Sequence, residues 1–132
     1  MAALDVHLVT PEREVWSGPA QMVVAHGVEG DVGILPGHAP LLIRLGVAPL
    51  RIQHEDGRWE EPVVDGGFLH VTTGDEGTRV DVLASSAELE SEIDRGTARA
   101  RVTELETRLQ QEDDDALRDE LARARARAGS SD

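Results

Sequence analysis

The chain has 132 residues, enough for one domain of ordinary size and a small appendage. Hydrophobic residues make up 39% of it and aromatic residues only 2% (Trp16, Trp59 and Phe68), so any core must be built from Val, Leu, Ile and Ala. The net charge is −13 and lysine is absent, which argues against nucleic acid as a partner, and the lack of cysteine excludes disulfides and thiolate chemistry.

Taken in order, the N-terminus Met1-Ala2-Ala3-Leu4-Asp5 has neither a basic nor an apolar signal region and predicts no secretory leader. Leu4, Val6 and Leu8 alternate with Asp5, His7 and Val9, a period-2 strand halted by Pro11. Glu14-Val15-Trp16 is a short second strand that ends at Ser17-Gly18-Pro19, and Gln21 to His26 is a third. Residues 30–41, Gly30-Asp31-Val32-Gly33-Ile34-Leu35-Pro36-Gly37-His38-Ala39-Pro40-Leu41, hold three glycines and two prolines, so they read as a stiff loop rather than a helix or central strand. Ile34, Leu35 and Leu41 within it are expected to be buried.

Leu41 to Leu45 and Val47 to Gln53 are strands split by Gly46. Asp56-Gly57 is a hairpin signal, with Trp59 to Val64 as the returning strand. Gly66-Gly67 marks a bulge or a tight strand entry before Phe68 to Thr72, and Gly74-Asp75-Glu76-Gly77 is another turn. Arg79 to Ala84 places Val80, Val82 and Ala84 inward. About nine short strands with turns every 6–12 residues read as a sandwich or a barrel.

From residue 91 the period changes. Ser91 followed by Asp94 offers a helix cap, with the serine taking an orphan N–H. Ala98, Val102, Leu105 and Leu109 form one apolar stripe, and Leu117, Leu121, Ala124 and Ala128 repeat its spacing after Asp113-Asp114-Asp115. Gly129-Ser130-Ser131-Asp132 ends the second helix. Two helices with a short connector predict an antiparallel hairpin, held weakly because half of the second seam is alanine. The predicted organisation is therefore a β domain over residues 1–89 and a helical hairpin over residues 90–132.

No catalytic motif emerges. His7, His26, His38, His54 and His70 make no ligand-spaced pair, so no metal site is expected. There is no nucleophile elbow, P-loop or dinucleotide fingerprint, and the abundant carboxylates sit in polar runs. The chain does not read as an enzyme by itself, and no run approaches the length of a membrane-spanning helix.

Four segments, in order, carry a family resemblance: Trp16-Ser17-Gly18, the twelve-residue loop from Gly30 to Leu41, Asp65-Gly66-Gly67-Phe68, and Ser91-Glu92-Ile93-Asp94. Together they make the chain resemble the epsilon subunit of bacterial F-type ATP synthases over nearly its whole length. The resemblance selects a fold, mainly β plus α, with an N-terminal β-sandwich followed by a C-terminal antiparallel two-helix hairpin. It implies a non-catalytic central-stalk subunit of a proton-translocating enzyme, peripheral on the cytoplasmic face of the bacterial plasma membrane, which couples gamma to the c ring and modulates ATP hydrolysis. The alternative is a generic β-sandwich adaptor or ligand-binding module with a helical tail.

By the same resemblance, Glu29, Gly30 and Asp31 match the acidic loop set against the c ring. Pro36, Gly37, His38, Ala39, Pro40 and Leu41 match the segment facing the gamma subunit, where a rigid loop loses little entropy on docking. Some relatives bind ATP at a motif matched here by Ile93, Asp94 and Ala98, with Arg99 nearby. Thr97 stands where arginine is expected, so no cofactor is predicted and ATP affinity should be weaker than about 1 mM. Arg118, Arg123, Arg125 and Arg127 are read as clustered near the end of the second helix, opposed only by Asp119 and Glu120. They match a basic tail that makes a conditional contact with the catalytic beta subunit.

Overall fold

The structure, a computed structural model, describes residues 3–129; Met1-Ala2 and Ser130-Ser131-Asp132, invoked above at the two ends, lie outside the described residues. The chain divides between Glu90 and Ser91 into two compact units. The strands of the first unit are, in chain order, β1 (Leu4–Val9), β2 (Glu14–Ala20), β3 (Met22–Gly27), β4 (Gly30–Ile34), β5 (Leu41–Arg44), β6 (Val47–Pro49), β7 (Arg51–Gln53), β8 (Trp59–Glu60), β9 (Val63–Asp65), β10 (Phe68–Gly74), β11 (Gly77–Leu83) and β12 (Ser86–Glu88). They form a five-stranded sheet in the order β2-β1-β11-β10-β5, a four-stranded sheet β4-β3-β7-β8, and a three-stranded sheet β12-β9-β6.

The alternation in β1 does what its period requires. Leu4, Val6 and Leu8 are buried, and their neighbours Asp5, His7 and Val9 are not. β1 lies between β2, antiparallel, and β11, parallel, with Val6 beside Val80 and Leu8 beside Val82. Val23 and Ala25 of β3, Ile34 of β4, Ile52 of β7, Val64 of β9 and Leu69 and Val71 of β10 join these residues in one aliphatic core, and the sheets pack as a β-sandwich. No aromatic side chain lies in its interior; Trp16 packs against it from the side.

Several elements differ from the sequence reading. β2 does not stop at Ser17-Gly18-Pro19 but runs through it to Ala20, because β2 is an edge strand and a proline there removes no needed ladder bond. Residues 30–34 are not loop but β4, the return strand of a hairpin whose turn is Val28-Glu29. β4 is also an edge, which lets it tolerate its glycines. Leu35 is not buried; it is 52% exposed.

The predicted strand Val47 to Gln53 is two strands in different sheets, and so is Trp59 to Val64. Both change sheet at a proline, Pro49-Leu50 and Glu61-Pro62, and the corners are tied by the Leu50 N–H donating to the Pro62 carbonyl at 2.8 Å. β12 was not anticipated, and its three residues Ser86-Ala87-Glu88 show too little alternation to signal a strand.

A 3₁₀ turn, Glu90–Glu92, spans the division, and the second unit holds α1 (Arg95–Leu109) and α2 (Asp115–Ala128). The cap of α1 is Asp94 rather than Ser91, which lies in the 3₁₀ turn; the Asp94 carboxylate accepts the Thr97 N–H at 3.0 Å. Asp114 caps α2, accepting the Ala116 N–H at 2.8 Å. Leu105, Leu117, Leu121 and Ala124 form the seam, with Val102 and Leu109 packed beside them. The helices run antiparallel, the start of α1 meeting the end of α2 where Arg95 donates to the Ala128 carbonyl at 3.3 Å, and ion pairs from Arg101 to Glu120 and from Arg125 to Glu106 link them.

Gly66 and Gly67 form the tight entry into β10. Gly67 has φ +103°, and a Cβ there would stand 2.0 Å from the Leu83 carbonyl oxygen and 2.7 Å from the Ala84 Cα. Neither obstacle is a movable side chain. Gly67→Ala should therefore cost about 3 kcal/mol or more of folding stability in denaturant titration. Gly74→Ala, where nothing lies within 4 Å of the added Cβ, should change stability by less than about 1 kcal/mol. Equal effects of the two would remove the close approach as a constraint.

Candidate functional site

The acidic segment Glu29-Gly30-Asp31 begins at the turn of the β3–β4 hairpin, where Gly27 pairs with Gly30 and Val28-Glu29 project as the two-residue turn. All three residues of the segment are exposed. Asp31 is not free. It stands opposite His26, whose Nδ1–H donates to its Oδ1 at 2.6 Å.

The second segment leaves the far end of β4. Four residues, Val32 to Leu35, separate the two, so they lie about 16 Å apart at about 3.3 Å per residue and do not form one patch. The segment closes on itself through the His38 N–H and the Leu35 carbonyl, 3.0 Å apart, with Gly37 at φ +88°. It is then fastened to the β10–β11 hairpin. The Gly37 N–H donates to Thr78 Oγ1 at 2.7 Å, and Thr73 Oγ1–H donates to the His38 carbonyl at 2.6 Å. Thr78 is a buried polar residue, so its hydroxyl is committed to this junction. The loop has two anchors on one rigid hairpin, which accounts for its stiffness beyond its prolines.

Leu41, at the end of the segment, is turned toward the core, so its apolar character is explained by the fold. The residue presented outward is its neighbour Leu42, 64% exposed. Phe68 on β10 and Leu83 on β11 are a cross-strand pair, 47% and 57% exposed, and Leu42 lies diagonal to Phe68 through the Phe68–Arg44 pairing. A groove of about 420 Å³ beside them is lined by Val9, Pro11, Gly67 and Ala84 among others. This apolar patch on the outer face of the five-stranded sheet was missed by sequence reasoning. Its signal was parity: Leu42 shares its face with Arg44, Phe68 with His70 and Thr72, and Leu83 with Asp81 and Arg79, all outward positions.

The residues matching a nucleotide motif occupy the start of α1. Asp94 serves as its cap, Ala98 is buried, Ile93 is half-buried and Arg99 is exposed. Thr97 is exposed, and its N–H is taken by the cap. Of the arginines of α2, Arg125 and Arg127 lie in its last turn and Arg123 just before it, but Arg118 does not join them. Arg118 is in the first turn, bonded to Asp113 and to Asp115, and Arg125 donates to Glu106 of α1 at 2.9 Å. Counting acids along the chain missed Glu106, which the hairpin brings across. Among the described residues no group of three or more His, Asp or Glu could hold a metal ion, and no helix is long and apolar enough to cross a membrane.

Comparison with known proteins gives one family. The family model of the ATP synthase delta/epsilon chain, beta-sandwich domain, matches residues 3–90. The ATP synthase epsilon chain of Brevibacillus brevis is 43% identical over 109 residues, covering 83% of this chain and 80% of its own. That of Thermobifida fusca is 44% identical over 128 residues, covering 94% and 88%. Among solved structures, a chain of the Euglena gracilis mitochondrial ATP synthase (OSCP/F1/c-ring) is 25% identical with a TM-score of 0.77, covering 94% of this chain and 77% of that one.

The cap at Asp94 generates a pH dependence. The bond from the Thr97 backbone N–H favours the ionised carboxylate and holds Asp94 below its ordinary range. Its contribution to α1 is therefore fully present above the ordinary aspartate value of about 3.9 and is lost as pH falls through the lowered folded value. Asp94→Ala should lower helicity by circular dichroism at neutral pH, and the difference from the parent should narrow steadily below about pH 3.9. A difference independent of pH would mean that the carboxylate is not what caps the helix.

Proposed function

The chain belongs to the ATP synthase delta/epsilon family as an epsilon chain, and from that premise we propose how its surfaces divide the work of a stalk subunit. It is a non-catalytic central-stalk subunit of an F-type ATP synthase and a peripheral part of a membrane-bound complex. The finer reading is that the sandwich joins gamma to the c ring on the cytoplasmic face of the bacterial plasma membrane, while the helical unit modulates ATP hydrolysis.

One observation carries the gamma assignment. On a body of strongly acidic composition, Leu42, Phe68 and Leu83 make a connected apolar patch, beside a loop held rigid by Thr73 and Thr78. Solvent offers no reason for three large apolar side chains at outward strand positions, whereas a docking partner does. The loop Pro36-Gly37-His38-Ala39-Pro40 lies at the end of the same sheet and is proposed as the rim of that contact. Glu29-Gly30-Asp31, at the opposite end of β4, is proposed for the c ring, where exposed carboxylates suit a cationic polar loop.

No nucleotide is proposed as a cofactor. The carboxylate the motif would use is occupied as a helix cap, and Thr97 lacks the arginine's charge. The contact with the catalytic beta subunit is proposed as weak and conditional, because Arg118 and Arg125 already spend donors within the hairpin.

Phe68→Asp and Leu42→Asp change exposed positions and should leave the fold intact. Each should weaken binding to the purified cognate gamma subunit by more than about tenfold in calorimetry, since a charge is placed in an apolar contact. His38→Ala should stay within about twofold, as a rim polar group contributes little. A folded Phe68→Asp chain that binds gamma normally would overturn the assignment.

Deleting residues 112–132 should raise ATP hydrolysis by the assembled complex only about threefold at low salt and hardly at all at high salt, because exposed ion pairs contribute about 0–1 kcal/mol and are screened. Assembly should survive. A salt-independent rise of tenfold or more would assign the helices a larger inhibitory role.

A further inference from the structure

We propose that Thr73 and Thr78 are positioning residues of the gamma contact, acting through one directed chain of hydrogen bonds that holds the loop Pro36-Gly37-His38-Ala39-Pro40 in its docking shape. The proposal rests on the reading of that loop as the rim of the contact with gamma. Its starting point is parity. Leu69 and Val71 on β10, and Val80 and Val82 on β11, are inward and buried, and the next inward position on each strand is threonine. Thr73 and Thr78 stand directly opposite each other in the ladder, and Thr78 is only 4% exposed. Valine has the shape of threonine and carries no hydroxyl to satisfy, so it suits an inward strand position better. A facing pair of threonines here is explained by what their hydroxyls bind.

Proton counting fixes the direction of each bond. The Gly37 N–H donates to Thr78 Oγ1 at 2.7 Å. Thr73 Oγ1–H donates to the His38 carbonyl at 2.6 Å, which spends its one proton. The two hydroxyl oxygens are 3.1 Å apart, so the bond between them takes its proton from Thr78. The chain thus runs from the Gly37 N–H through Thr78 and Thr73 to the His38 carbonyl, leaving the loop at one residue and returning to it at the next. Bonds in such a chain polarise one another, so removing either hydroxyl also weakens the bond that the other keeps.

The rest of the loop shows why this chain matters. Ile34 is laddered to Val23 in one sheet and Leu41 to Val71 in another, and residues 35–40 belong to no strand. A Cβ added at Gly37 would meet nothing within 4 Å, so packing does not wedge that part of the loop in place. The His38 N–H is spent locally, on the Leu35 carbonyl. Pro36 and Pro40 fix φ but attach the loop to nothing. The middle of the span is therefore tied to the sheet by the two hydroxyls. With the chain intact, the loop meets gamma already ordered; with it cut, docking must supply the order.

The test is calorimetry of the full chain with the purified cognate gamma subunit. Thr78→Val and Thr73→Val should each lose about fivefold in affinity, the cost of ordering about one residue, and the loss should appear as a less favourable binding entropy. Thr78→Val should be no less stable than the parent in denaturant, since valine suits the buried position, and Thr73→Val repeats the test at an exposed one. Thr78→Ser, which keeps the hydroxyl, should stay within about twofold of the parent; a loss as large as that of Thr78→Val would remove the hydroxyl as the cause and overturn the proposal. The double valine variant should fall well short of the about twenty-fivefold loss that two independent anchors would give, and a full product of the two effects would overturn the chain. Ala39→Asp, at an exposed loop position, tests the contact itself and should weaken binding by more than about tenfold. If Ala39→Asp weakens binding while both single valine variants bind like the parent, the contact stands and the positioning role is overturned. If Ala39→Asp leaves affinity unchanged, the contact fails and the proposal falls with it.

Discussion

The sandwich depends on one pairing, the parallel ladder between β1 and β11. Leu4, Val6 and Leu8 stand beside Thr78, Val80 and Val82, and all six are buried. A parallel pair needs a crossover, and here the crossover is nearly the whole domain, from β2 to β10. The first strand therefore gains its second ladder neighbour, and its interior place in the five-stranded sheet, only when the last long strand has formed. Its inward side chains are aliphatic and leave no polar group to satisfy, which lets an interior without aromatic residues close around them.

That pairing also sets the functional surface. Because β11 is held against β1, the β10–β11 hairpin is a fixed post, and the hydroxyls of Thr73 and Thr78 at its end fasten the loop that contains Gly37 and His38. The same two strands turn Phe68 and Leu83 outward as a cross-strand pair. Gly67 is the condition for this arrangement, since the chain enters β10 in contact with the backbone of Leu83 and Ala84. A rigid loop and an apolar patch thus share one support, and docking on them costs little conformational entropy. The helical unit is built otherwise. Its seam is small and alanine-rich, and much of what joins its helices is exposed ion pairing, which suits a conditional regulator better than a permanent joint.

Much of this was legible in the residues. Strict alternation marked β1 and β11, Asp56-Gly57 and Asp75-Glu76 marked hairpin turns, and the change of period near residue 91 marked the helices. What failed to show has physical reasons. Pro19 reads as a terminator unless one knows that its strand is an edge, and edge status is a property of the sheet. The stretch from Val47 to Gln53 gives no sign that it passes from one sheet to another at Leu50, since each half is only three residues long, too short for an alternation of its own to show. In the candidate site, the acidic tip and the Gly/Pro loop announced themselves by composition. Phe68 and Leu83 did not, because an apolar residue in a strand is read as core until its parity is compared with His70 and Asp81. The partner of Arg125 lies on the other helix, beyond the reach of any local count.

The central claim is that the outer face of the β5–β10–β11 sheet is the surface covered by the stalk. Hydroxyl-radical footprinting of the chain, free and within the assembled ATP synthase, measures this directly, because leucine and phenylalanine side chains are labelled in proportion to their exposure. Leu42, Phe68 and Leu83 should be labelled in the free chain and protected in the complex, while exposed Trp59, on the other sheet, keeps its labelling. Full labelling of Leu42, Phe68 and Leu83 in the assembled complex would contradict the account.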